Sequence, residues 1–135
     1  MTQITDYKSL LEAAKQEPQP QEFLFVFLKA FLPEKATPEQ VKQFHDGQGG
    51  QLMPIMQVHK PLNELTDFNA LVQDANKFSE EWQIVLIACL AGIDGERPAE
   101  EDINKHTNTM IDAVKNGQSL ARYLAFNTNG DPIIW

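Results

Sequence analysis

The sequence predicts one domain, residues 1–135, of α/β or α+β class, with a mixed four- to five-stranded sheet and about four helices in the order α-β-α-β-α-β-α-β-β. Three observations predict it. Two short, nearly unbroken apolar runs, Glu22–Leu28 and Trp82–Ala91, are too short for membrane helices and rich in β-formers, as expected of strands covered on both faces. Segments between and around them repeat their apolar residues at helical spacing. Gly92 and Gly95 follow the second run, and Pro18 and Gly117 end the predicted first and last helices.

Residues 5–17 form the first predicted helix: Tyr7, Leu10, Leu11 and Ala14 make one apolar stripe, Thr5 or Asp6 caps it, and Pro18 ends it. Phe-rich Glu22–Leu28 follows as a strand. Thr37-Pro38-Glu39-Gln40 is the clearest local signal, a capping box with proline at the first helical position. That helix carries Val41 and Phe44 and stops at Gly47. Leu52–Val58 reads as a strand whose Pro54, lacking a ladder donor, places it at an edge. Thr66 or Asp67 opens a helix with Phe68, Leu71, Val72 and Ala75 in register, and Trp82–Ala91 is the central strand. Pro98 begins a helix with Glu100, Glu101 and Asp102 in its first turn, where its dipole favours acids. Ile103, Thr107, Met110 and Val114 form its inner stripe, and Gly117 ends it. Leu120–Phe126 is a strand, Asn127–Asp131 a turn, and Pro132–Trp135 a short returning strand. The intervening helices are long enough for crossovers, so parallel pairing is expected for the inner strands and antiparallel pairing for the last hairpin.

Composition narrows the function. Nineteen acidic against eleven basic residues give a net charge of −8, which repels phosphate backbones and anionic lipid and disfavours nucleic-acid or membrane-surface roles. No signal-peptide pattern opens the chain, and a cytoplasmic location is expected. Cys89 is the single cysteine, so an intramolecular disulfide and a cysteine zinc cage are excluded. Within an apolar strand it is expected to be an inert core thiol. His45, His59 and His106 share no ligand spacing, and neither a metal nor a cofactor is expected. Gly47–Gly50 ends a helix instead of opening one, the reverse of a phosphate loop.

A ligand site would sit beyond the carboxyl ends of parallel strands. Those ends present Lys35, then His59 and Lys60, then Asp94, Glu96 and Arg97, and finally Asn127, Asn129 and Asp131. In that arrangement His59 is the general acid or base, or an orienting group, and Arg97 the anion clamp. The plainer reading, polar loop residues of no special role, carries more weight.

The segment Gln43–Met56, with Leu24–Phe27 and the Asn127–Pro132 turn, resembles a small family of short bacterial proteins, and the resemblance covers most of the chain. Members sometimes carry the label of ribonucleotide reductase alpha subunit. That chemistry requires a thiyl-forming cysteine and a redox pair on a large barrel, whereas this chain has Cys89 alone. The resemblance implies a family without a secure activity and transfers no catalytic residues.

With no recognisable catalytic motif, the leading expectation is a non-catalytic domain acting through protein contacts or self-association, with Ile133-Ile134-Trp135 as one adhesive end. The alternative is a small-molecule binder or enzyme using the loops around His59, Asp94 and Arg97.

Overall fold

A computed structural model describes residues 5–31, 37–45 and 51–133. They form a single α+β domain. The elements are α1 (Tyr7–Lys15), β1 (Gln21–Phe31), α2 (Pro38–His45), β2 (Gln51–Pro61), α3 (Phe68–Asn76), β3 (Ile84–Ala91), α4 (Glu100–Lys115) and β4 (Leu124–Asn127). The sheet order is β2-β1-β3-β4, and every neighbouring pair is antiparallel.

The expected parallel pairing of the inner strands is therefore corrected. Its physical reason lies in which helix packs. A crossover helix must bury a face on the sheet. Among the described side chains of α2, Pro38, Glu39, Gln40 and Lys42 are exposed and Val41 is only half-buried. The excursion between β1 and β2 thus spans a wide hairpin, with Glu22 opposite Pro61 and Phe31 opposite Gln51. The genuine crossover runs from β2 through α3 to β3. Those two strands point the same way, but β1 lies between them.

β1 is the centre of the molecule. Its alternation sends Phe23, Phe25 and Phe27 to one face and Leu24, Val26 and Leu28 to the other, all essentially inaccessible. The phenylalanine face packs under α1 and α3, with Leu10, Leu11, Leu71, Ala75, Val85 and Ile87. The aliphatic face packs under α4, with Ile103, Met110, Ala113 and Val114. Burying each of these large side chains contributes roughly 1.5–3 kcal/mol. Tyr7, Phe68 and Phe126 meet edge-on at 5.5–6.4 Å between ring centres, which pins α1 and α3 to β4.

Local signals explain the element ends. Thr37 and Gln40 exchange both bonds of the capping box (Gln40 N–H to Thr37 Oγ1, 3.2 Å; Thr37 N–H to Gln40 Oε1, 2.9 Å). Asp6 and Asp67 cap α1 and α3 through their side chains. Gly117, at φ +65°, closes α4: its N–H donates to Val114 and that of Gln118 to Ala113, the paired bonds of a Schellman end. β2 is an edge strand as Pro54 required, and its register slips beside that proline, leaving Ile55 as the extra residue.

Two strand expectations change. β3 begins at Ile84, with Trp82 outside it, buried against Phe27 at 5.1 Å and donating from Nε1 to Asn76 (2.9 Å). β4 is shorter than Leu120–Phe126 and the C-terminal return is not a full strand: Pro132 bridges Phe126, and Ile133 N–H donates to Ala125 (2.8 Å). Ile134 and Trp135, like Gly47–Gly50, lie outside the described residues.

Candidate functional site

The most concentrated chemistry surrounds Glu22, the second residue of β1. Strand alternation puts its carboxylate on the α4 face, in phase with Leu24, Val26 and Leu28, and it is fully buried. An ionised carboxylate there costs several kcal/mol unless its lone pairs are filled. Antiparallel β2 supplies one partner: His59 lies opposite Leu24, diagonal to Glu22, and its Nδ1 is 2.7 Å from Glu22 Oε2.

The second partner comes from the β3–α4 connection. Ile93 and Glu96 exchange both backbone bonds around Asp94-Gly95, at φ +55° and +80°, a two-residue turn that suits left-handed residues. Gly92 admits this fold because a Cβ there would fall 1.9 Å from the Glu96 carbonyl oxygen. The turn is stapled to the segment before β1 by Gly92 N–H to Pro20 (2.7 Å) and Gly95 N–H to Gln19 Oε1 (2.8 Å). Arg97 is thereby delivered onto Glu22 in a fork: Nε to Oε1 at 3.0 Å, and Nη2 to Oε1 and Oε2 at 2.8 and 3.0 Å.

Of the residues singled out from sequence, His59 and Arg97 are thus brought together. The anion in the Arg97 fork is Glu22 of the same chain. Antiparallel topology disperses the others. Lys60 points to the opposite face and bonds Asp74 of α3 at 3.0 Å. Asp94 and Glu96 are exposed on the turn. Asn127 and Asp131 lie at the far end of the sheet, beside the start of β3, where Asn127 Oδ1 accepts from the Asn129 and Asp131 N–H groups (2.8 and 3.0 Å). They shape their own turn. Lys35 lies outside the described residues. Four strands whose carboxyl ends alternate between two ends of the sheet cannot gather these residues in one crevice.

Glu22 was missed from sequence because it opens an apolar run and reads as its polar boundary. The usable signal was its phase. An acid spaced two residues from Leu24 and four from Val26 must point inward and therefore needs a cation.

Cys89 corrects a second expectation. It is exposed, not a core thiol. The cause is local: β4 stops at Leu124, opposite Ile87, and among the described residues no strand pairs with the remainder of β3 on that side. Its thiol donates to Gln21 Oε1 at 2.9 Å, and loss of hydration, followed by the nearby Glu17 charge, pushes its pKa up to about 11. A thiol protonated at neutral pH is a poor nucleophile.

Among the described residues no group of three or more His, Cys, Asp or Glu side chains could hold a metal ion, no helix is long and apolar enough to cross a membrane, and no buried side-chain polar atom lacks a partner. An apolar concavity lies elsewhere, between β2 and α3. It is a cleft of about 410 Å³ lined by Phe27, Ile55, Met56, Val58, Leu71 and Phe78, among others. Phe78, just past α3, is 83% exposed, and Met53 of β2 is 42% exposed. Lys60, Asp74 and Lys77 form ion pairs beside it. No family model, curated protein or solved structure matches this chain.

Proposed function

We propose that this is a non-catalytic domain that works through protein contacts, and that the β2–α3 face is its contact surface. The observation that carries the reading is Phe78, 83% exposed at the mouth of an apolar cleft. A large aromatic over an apolar cleft that includes the adaptable Met56, rimmed by charges, is the usual composition of an interface anchor. The small-molecule alternative around His59, Asp94 and Arg97 has less support, since the Arg97 fork is spent on Glu22 and Asp94 stands apart on a turn.

Self-association is the form to test first. Asp74 and Lys77 both stand at the rim, so the surface is self-complementary in charge, as a twofold interface requires. Sedimentation velocity across a concentration series should show reversible association of the wild-type chain and a monomer for Phe78→Asp. A wild type that stays monomeric throughout, or a variant that associates equally well, would contradict the reading.

A further inference from the structure

We infer that the uncovered end of β3 is a strand-addition site that takes an extended, acidic peptide of a partner protein. This inference rests on the protein-contact reading but uses a different surface. β4 pairs only with Ile84–Ile87, so Ala88–Ala91 have no strand on their outer side among the described residues. Backbone direction along the strand follows from one bond: Gly92 N–H donates to Pro20 on the β1 side. By alternation Ala88 and Leu90 also face β1, whereas Cys89 and Ala91 turn their N–H and C=O groups to the open edge.

The surface beside this edge is concave. A cleft of about 530 Å³ runs along Ile87–Cys89, walled by Leu10 of α1 on one side of the sheet and by His106 and Met110 of α4 on the other. Arg122 and Leu124 close one end, where β4 begins. A helix is too wide for a slot between two helix layers, and an extended chain fits it.

Charge narrows the occupant. The chain carries −8 overall, yet the cleft lining holds Arg122 and His106 and no carboxylate, the Glu17 charge that acts on Cys89 standing outside it. A peptide alternating small apolar and acidic residues matches both walls. A second copy fits poorly: pairing Ala88–Ala91 with itself antiparallel would drive the partner's following turn into the space held by Leu124. The other outer strand shows how an edge is closed, since β2 carries Pro54, a bulge and Pro61. β3 carries none of these.

The test titrates the full chain with a fluorescein-labelled peptide of alternating valine and glutamate, read by anisotropy and by the amide NMR signals of Cys89 and Ala91. Saturable binding should move those two amides. N-methylation of the alternate peptide nitrogens that face β3 should weaken binding about tenfold or more, as two backbone hydrogen bonds are lost, while methylation of the other nitrogens leaves it nearly unchanged. Arg122→Glu should reverse the preference toward the lysine counterpart of the peptide. Equal affinity of the two methylated forms, no saturation at millimolar peptide, or shifts confined to the Phe78 face would overturn the inference. So would protection of Cys89 and Ala91 by concentration alone, which would make a second copy the occupant. If the slot fails while Phe78→Asp still abolishes association, the slot is removed and the protein-contact reading stands.

Discussion

Single residues in this protein are governed by whether strand alternation turns them inward and by what then meets them. Cys89 combines an exposed position with a thiol held at about 11. Its alkylation by iodoacetamide should therefore be slow at neutral pH although the residue is exposed, rising steeply toward pH 11, and a fast reaction at neutral pH would contradict the protonated state. Tyr7 is buried, and loss of hydration, then the Asp67 charge, raises its phenol from 10.0 to about 12. A phenol that binds its proton more tightly when folded stabilises the fold fully below its unfolded pKa. That contribution declines as pH rises from 10 to about 12. Urea unfolding of Tyr7→Phe across this window should show a shallower loss of stability than the wild type. Glu22 is the residue that sequence reading should have weighed more heavily, because its phase with Leu24 and Val26 was visible and its partners were not. Exposure of Phe78, by contrast, had no signal in the sequence, since it depends on where α3 stops.

Elements were legible wherever a local rule decides them. The Thr37–Gln40 capping box, the Asp67 cap, the Gly117 end and the edge position of the strand carrying Pro54 all follow from short-range chemistry. Thr37→Ala should cost α2 about 1 kcal/mol of local stability, seen as faster amide exchange of Val41 with little change in the global midpoint. The Gly92–Glu96 turn is less forgiving. Gly92→Ala would set a Cβ 1.9 Å from a backbone oxygen, so the turn must open. We expect a loss of about 3 kcal/mol in chemical denaturation, at the upper end of overpacking costs. A near-neutral Gly92→Ala variant would mean that the turn relaxes without releasing Arg97. Where strand ends depend on a neighbour's length, as at the junction of Ile87 with Leu124, no local pattern reports them. That is why β3 looked fully covered from its composition.

For the whole molecule, the alternation of helices and strands was readable but the pairing was not. Both an α/β and an α+β sheet satisfy that order, and the decision falls to whether α2 packs on the sheet, which its short, mostly polar sequence leaves to tertiary contacts. Antiparallel pairing then separates the candidate polar loops onto opposite ends of the sheet. It also gathers His59 and Arg97 around Glu22, so that one carboxylate ties β1, β2 and the β3–α4 turn together. On the function proposed above, a polar cluster holds the fold and the β2–α3 face is left for protein contacts. Urea unfolding of Arg97→Ala beside Glu22→Leu/Arg97→Ala tests the first half directly. If the cluster is a clamp, the single variant leaves a buried charge half-paired and loses about 3 kcal/mol, the low end for such a break because Arg97 is itself half-exposed, and the double variant recovers most of it. An Arg97→Ala variant as stable as the wild type would contradict the clamp and return Arg97 to the role of a free anion-binding group.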